Sequence, residues 1–158
     1  MPGVATAQQV DPRYPYTVEL DVGPSLSSGL RGFGVTRTVL ATKLNFLGPA
    51  AENVQISGSA RYAAAFDGRV SEYGIAGGLR RFTEWDPWIT RIDTQIIATV
   101  AKIYPATDYS FGIGPHLAIG AQRVLPMGWR VGLDMGVAFV VINPRVDLDL
   151  HLAISYHW

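Results

Sequence analysis

The sequence has no cysteine, only two lysines and little charge overall. Without cysteine the chain has no disulfide framework, no thiolate metal site and no cysteine nucleophile. Lys plus Arg and Asp plus Glu number 13 each, so the net charge is zero, and nothing attracts a polyanion such as nucleic acid. Charged residues make up 16% of the chain, whereas a typical soluble domain has about 25%. Nucleic acid is therefore not an expected partner, and the charge content is low for a soluble domain.

Long apolar runs are also absent. The longest, residues 137–142, has the length of a strand and falls far short of the roughly 18 residues that a transmembrane helix requires. Residues 1–15 show no periodic pattern and contain Pro2, Gly3, Pro12 and Pro15. We therefore expect a disordered tail over residues 1–15 and a single domain over residues 16–158.

The clearest positive feature is the C-terminal stretch, residues 146–158, in which every second residue is apolar. This alternation is typical of a strand with two chemically opposite faces. The apolar face contains Val146, Leu148, Leu150, Leu152, Ile154, Tyr156 and Trp158. The opposite face contains Asp147, Asp149, His151, Ala153, Ser155 and His157.

The same alternation recurs from Tyr16 onward and predicts eight strands with no convincing helix. We expect turns or connections at Gly23-Pro24 with residues 25–32, at Gly48-Pro49, Asp67-Gly68, 85–88 and Tyr104-Pro105, and at residues 143–145. Pro115 lies inside the sixth strand and predicts a bulge there. The pattern therefore indicates an all-β fold, an eight-stranded antiparallel up-and-down barrel.

Alternation does not itself decide which face of such a barrel points outward. The polar face is dominated by Gly, Ala, Ser and Thr with charges of both signs, which suits a cramped interior in which buried charges are paired. The predicted interior polar network comprises Glu19, Asp21, Arg37, Lys43, Arg61, Glu72, Arg80, Arg91, Asp93, His116, Arg130, Asp134, Asp147, Asp149 and His151.

The apolar face carries large aliphatic and aromatic residues and, in this assignment, Arg81 as its only charge, at a strand end. A charge at the bilayer midplane costs about 2–4 kcal/mol, so this face is suited to lipid. The residues expected to form aromatic girdles at the two membrane interfaces are Tyr16, Phe46, Trp88, Tyr109, Trp129, Tyr156 and Trp158. The alternative is a soluble barrel with an apolar core that binds a small apolar ligand.

Three histidines, His116, His151 and His157, fall on the predicted interior face. With Asp149 and its acidic neighbours they form either an ordinary polar network or a site for protons, cations or acid/base lipid chemistry. Ser155 and His157 are close in sequence but lack an identifiable third group for catalysis. We expect the ordinary network, with no catalysis, no cofactor and no metal, and a lumen too crowded for an open pore.

The chain resembles the small eight-stranded outer-membrane barrels of the OmpA transmembrane-domain and OmpX type over residues 16–158. The resemblance implies a transmembrane barrel in the bacterial outer membrane, a lipid bilayer or detergent as partner, and both termini in the periplasm. It also implies that residues 25–32, 67–70, 103–108 and 143–145 face outward and that the outer-membrane insertion machinery reads the C-terminal strand. The connections are shorter than usual in that family, so the expected role is structural, anchoring or assembly-related, in a barrel that is natural, trimmed or engineered. An outer-membrane lipid-modifying enzyme is the second alternative.

Overall fold

The computed structural model describes residues 16–29, 36–105, 109–142 and 144–158. The described residues form eight strands and one 3-10 turn at Pro126–Gly128. The strands are β1 (Thr17–Gly29), β2 (Thr36–Ala51), β3 (Val54–Ala65), β4 (Val70–Trp85), β5 (Trp88–Ile103), β6 (Tyr109–Val124), β7 (Trp129–Val140) and β8 (Arg145–His157). None of the described residues belongs to a helix long and apolar enough to cross a membrane.

Each strand pairs antiparallel with the next in sequence, and β8 pairs with β1 to close the barrel. Backbone hydrogen bonds in both directions between Tyr16 and Trp158, at 3.2 and 3.3 Å, extend this last pairing beyond the strand ends. The prediction of an eight-stranded antiparallel up-and-down barrel is therefore confirmed. Closure gives every strand two neighbours, so the sheet has no free edge.

Two of the predicted turns are wrong, because Gly23-Pro24 and Gly48-Pro49 lie inside strands. Pro24 faces outward, and the β1–β8 ladder skips it, so its missing N–H costs nothing there. Gly23 lets the two strands approach, since a Cβ at this position would lie 2.9 Å from the Cα of His151. Strand β2 continues past Pro49 with a register shift to Ala51, and the turn that follows contains Asn53 at φ 57°.

The bulge expected at Pro115 is also wrong. Pro115 pairs with Ile96 in an unbroken β5–β6 register, and the β6–β7 ladder begins at the next residue, His116. The proline therefore removes no hydrogen bond from the described ladder with β7. The shift beside Pro49 is the one register shift among the described strand pairs.

The predicted external segments are shorter than expected where the structure describes them. Residues 25–29 belong to β1, and Arg145 is the first residue of β8. Residues 30–35, 106–108 and 143 lie outside the described part of the chain, as does the predicted tail over residues 1–15. The prediction of a disordered tail is thus not tested.

The distribution of polarity is the reverse of that in a water-soluble protein. Side chains such as Ile96 (57% exposed) and Leu148 (51%) point outward, whereas Glu19 (0%) and Arg91 (4%) point inward. Half of the buried apolar residues are alanines, and one small cluster forms around Val39, Ala41 and Ala63. The tightly packed part of the molecule is therefore the polar interior.

Arg81 is not the only charge on the outer face. Arg123 is exposed near the end of β6. Lys102 occupies an outward position near the end of β5, and its Nζ lies 4.7 Å from the centre of the Tyr104 ring. The sequence assignment missed both because β5 and β6 extend further than their alternating patterns indicated. Within the described strands, these three outward charges lie close to strand ends.

The glycines on the two faces should tolerate substitution differently. A Cβ at Gly78, on the inner face of β4, would lie 2.7 Å from the Cα of Gln95, whereas a Cβ at Gly58 meets nothing within 4 Å. We expect Gly78→Ala to lower the free energy of unfolding by about 1–3 kcal/mol, and Gly58→Ala to change it by no more than about 0.5 kcal/mol. Urea unfolding of detergent-folded protein measures both. Equal stability of the two variants would contradict the close approach of β4 and β5.

Candidate functional site

The carboxylate of Glu19 is the centre of the interior network. Glu19 is fully buried, and its carboxylate accepts hydrogen bonds from side chains on β2, β4, β5 and β6. Arg80 donates from both terminal nitrogens (2.8 and 3.1 Å), Asn45 Nδ2 donates at 3.1 Å and Gln122 Nε2 at 2.8 Å. Arg91 Nη1 donates to Oε2 as well. A carboxylate offers about four lone-pair sites, so Glu19 is saturated.

The two arginines bound to Glu19 each bind a second carboxylate. Arg80 makes a two-point contact with Asp93, at 2.6 and 2.9 Å, and Arg91 Nε donates to Asp134 at 3.0 Å, with a further contact from Nη2. Two-point contacts of this kind are the strongest geometry available to a guanidinium. Glu19, Asp93 and Asp134 are thereby linked across the lumen through two cations.

One group of carboxylates has the spacing of a metal site. Oxygens of Glu19, Asp21 and Asp134 lie within 4.8 Å of one another, the one such group found among the described residues. Arg91 lies among them, since it contacts Glu19 and Asp134, and its Nη2 is 3.8 Å from Asp21 Oδ1. The cation of this cluster is therefore the Arg91 guanidinium.

A second ion-pair group lies in the half of the barrel nearer the start of β8. Arg61 contacts Glu72 at 2.6 Å and Asp149 at 3.3 Å, and it donates to Ser25 Oγ at 2.9 Å. Its carboxylate partner Glu72 is shared with Arg145.

Arg145 extends this second group toward the end of the barrel. Besides Glu72, it contacts Asp147 at 3.1 Å and donates to Thr99 Oγ1 at 3.2 Å. Between the two ion-pair groups, Lys43 Nζ donates to Gln95 Oε1 at 3.1 Å. Among the described residues, the interior thus holds two salt-bridge groups, and Lys43 lies between them, hydrogen-bonded to the side-chain amide of Gln95.

The Ser155–His157 pair does not form a catalytic arrangement. Ser155 Oγ lies 3.5 Å from His157 Nε2, but the other ring nitrogen, Nδ1, contacts Thr17 Oγ1 at 2.6 Å. A hydroxyl cannot stabilise an imidazolium as the buried carboxylate of a catalytic triad does. Ser155 is also 1% exposed, which leaves a substrate no approach.

The structure places the predicted network residues on the inner face. Twelve of the fifteen are buried: Glu19, Asp21, Lys43, Arg61, Glu72, Arg80, Arg91, Asp93, His116, Asp134, Asp147 and His151. The other three, Arg37, Arg130 and Asp149, are half-buried. Sequence reasoning missed Asn45, Gln95, Gln122 and Arg145 as members. The first three stand at inward positions of the alternating pattern, which was the available signal, whereas Arg145 had been assigned to a turn.

The predicted girdle residues lie on the outer face near strand ends, each at least 39% exposed. Four of them form a continuous series of ring contacts across the β7–β8–β1 junction. Centroid separations are 5.0 Å for Trp129 and Tyr156, 6.2 Å for Tyr156 and Trp158, and 6.4 Å for Trp158 and Tyr16.

A closed eight-stranded barrel with an apolar exterior and an ion-paired interior has the fold of the small outer-membrane β-barrels, which confirms the resemblance predicted from the sequence. Solved structures of that class match over most of the chain. The match to Neisserial surface protein A (NspA) covers 90% of this chain and 97% of the NspA chain, with a TM-score of 0.75 and 12% sequence identity. The match to Ail, the attachment invasion locus protein of Yersinia pestis, covers 92% of this chain and 99% of the Ail chain, with a TM-score of 0.60 and 7% sequence identity.

Ail has also been solved in a phospholipid bilayer nanodisc, and that structure matches with a TM-score of 0.54 and 10% identity. No protein-family model and no curated protein sequence matches the chain. At such low identities the likeness shows a shared fold and nothing about activity.

Replacing Glu19 should destabilise the barrel far more than replacing an exposed acid. In Glu19→Gln, two buried arginines lose a shared carboxylate, and we expect a loss of about 3–5 kcal/mol of unfolding free energy. The matched control is Asp67→Asn, whose 3.7 Å ion pair with Arg69 is exposed and should contribute at most about 1 kcal/mol. Urea unfolding in detergent compares them. A Glu19→Gln variant as stable as the control would show that Glu19 is not the centre of the network.

Proposed function

We propose that the chain is an integral barrel of the bacterial outer membrane with a structural, anchoring or assembly-partner role, a filled lumen and no catalytic activity. The observation that carries the proposal is the inverted polarity of the barrel: large apolar side chains cover the outside, while ion pairs fill the inside. In water, such an exterior would be a large exposed apolar surface, which soluble monomers rarely have. Lipid removes that cost.

The positions of the outward charges support a membrane environment. Arg81, Lys102 and Arg123 lie near strand ends, where a charged side chain can extend toward the headgroups. Charge becomes progressively less costly from the midplane toward the interface, from about 2–4 to about 0–1 kcal/mol. The neighbours NspA and Ail support the same location through their fold.

The contacts across the lumen support a filled interior. Glu19 on β1 binds side chains on β4, β5 and β6, so the hydrogen bonds cross the barrel axis. An eight-stranded barrel is only wide enough for side chains to fill it. A polar, cross-linked interior also disfavours the alternative of a soluble barrel holding an apolar ligand, which would need an apolar lining.

Short connections support an anchoring or assembly role over adhesion by long loops. Residues 66–69, on the side expected to face outward, connect β3 and β4 in a tight turn. The C-terminal strand β8 pairs with β1, and its outward face ends in Tyr156 and Trp158. We propose that this strand is the element recognised by the outer-membrane insertion machinery.

A charge at mid-strand should destabilise the barrel in a membrane more than a charge near a strand end does. Leu152 lies near the middle of β8 and points outward, and Thr90 is an exposed residue near the start of β5. We expect Leu152→Arg to lower stability in lipid vesicles by about 2–4 kcal/mol, and Thr90→Arg by about 0–1 kcal/mol. Gel mobility with and without boiling reports the folded fraction. If the wild-type chain stayed monodisperse in water without detergent, the membrane assignment would be wrong.

The recognition of β8 can be tested separately from folding. We expect Trp158→Ala to slow assembly into proteoliposomes that contain the insertion machinery, while spontaneous folding in detergent remains near wild type. The matched control is Trp85→Ala, which removes an exposed tryptophan from β4. Time courses of the gel shift measure both rates. Equal slowing by the two variants would mean that the machinery does not read Trp158 in particular.

A further inference from the structure

We propose that His116, Asp149 and His151 form a binding site for a divalent transition-metal ion of the Zn²⁺ class inside the barrel. This goes beyond the anchoring role and departs from the expectation, drawn from the sequence alone, that the chain binds no metal. Two imidazoles and one carboxylate are a common ligand set for zinc with a fourth position open.

The contact between His116 and Asp149 is the first basis of the proposal. His116 is on β6 and Asp149 is on β8, and their side chains meet over the inner face of β7, which lies between these strands. His116 Nε2 is 3.5 Å from Asp149 Oδ2. The intervening β7 residue is Gly136, where a Cβ would lie 2.7 Å from His116 Nε2. The absence of a side chain at Gly136 is therefore what allows the histidine to reach the carboxylate.

The separation suits metal ligation better than a direct hydrogen bond. Nitrogen–oxygen hydrogen bonds are usually about 2.7–3.2 Å long. Two ligands on a tetrahedral ion with bonds of about 2.0–2.1 Å lie about 3.3–3.4 Å apart. At 3.5 Å, the His116–Asp149 pair is close to the second spacing.

His151 supplies the third ligand, a second imidazole nitrogen. It shares the inner face of β8 with Asp149, two residues away, and is 5% exposed. Its Nε2 is buried with no hydrogen-bond partner among the described residues, which is costly for a polar atom unless something binds it. The three ligand atoms are not all within 4.8 Å of one another, so binding requires one of the side chains, such as the imidazole of His151, to turn.

The surroundings of the site favour a cation. Arg61 holds the other carboxylate oxygen, Asp149 Oδ1, at 3.3 Å, which leaves Oδ2 directed toward His116. Supporting contacts of this kind orient metal-ligating carboxylates. The ion-pair group here contains three carboxylates, Glu72, Asp147 and Asp149, against two guanidiniums, Arg61 and Arg145, and Lys43 adds a third positive charge that acts on His151. The negative charge that a bound ion would meet is therefore that of Asp149 itself, its direct ligand.

The donor set selects the class of metal. Imidazole nitrogen suits Zn²⁺, Cu²⁺ and Ni²⁺, whereas Ca²⁺ and Mg²⁺ prefer sites made entirely of oxygen. Zn²⁺ accepts the tetrahedral arrangement without a preference of its own. Neither Ca²⁺ nor Mg²⁺ should therefore compete.

Metal titration of the full chain, folded in detergent after chelator treatment, tests the site. We expect one Zn²⁺ per chain by calorimetry, unaffected by excess Ca²⁺. Bound Co²⁺ should give visible absorption bands of tetrahedral nitrogen and oxygen coordination. His151→Ala, His116→Ala and Asp149→Asn should each weaken Zn²⁺ binding at least about 10-fold, since even supporting groups matter by that much.

The matched control is His157→Ala, which removes the other buried histidine of the β8 inner face, near the opposite end of the barrel. Its Zn²⁺ affinity should equal that of the wild type, and gel mobility should show that every variant folds. Absence of stoichiometric binding in folded wild-type protein would overturn the proposal. So would an equal loss in His157→Ala, or full binding in the double variant His116→Ala/His151→Ala.

Discussion

The fully buried carboxylate of Glu19 is the constraint on which the interior depends. Taking a charge out of water costs several kcal/mol, and only close partners recover that cost. Glu19 has four partner residues on four other strands, and two of them, Arg80 and Arg91, extend the network to Asp93 and Asp134. Each strand that contributes a partner must therefore keep its register for the ion pairs to form. The polar interior consequently restricts the barrel to one arrangement of its strands.

Closure of the sheet and inversion of polarity depend on each other. In hydrocarbon, every backbone N–H and C=O must find a partner within the protein, and a closed barrel satisfies all of its strands in this way. Inside, the same closure creates a narrow space in which glycines such as Gly23 and Gly136 make room for neighbouring strands and for the His116 side chain. The outer face then needs only bulk and low polarity, which Leu148, Ile96 and their neighbours supply.

Alternation in the sequence predicted the strands and their inward residues, because a period of two is a local property of the chain. It predicted turns at Gly23-Pro24 and Gly48-Pro49 wrongly, since a proline is tolerated in a barrel strand where the ladder does not need its N–H. The partners within the network were not predictable. Glu19 meets Arg80 and Arg91 across the lumen, and such contacts depend on strand tilt and stagger, which no local pattern encodes. Arg145 was missed because its strand begins directly after the turn.

Lipid contact by the outer face is the central claim, and tryptophan fluorescence tests it directly. The chain has four tryptophans, each 47–63% exposed: Trp85, Trp88, Trp129 and Trp158. All four lie at strand ends on the same side of the barrel. In vesicles of brominated lipid, bromines near the headgroups should quench the tryptophan emission strongly, and bromines at the bilayer centre should quench it weakly. Iodide dissolved in the water should have little effect. Strong quenching by iodide with none by brominated lipid would contradict the account.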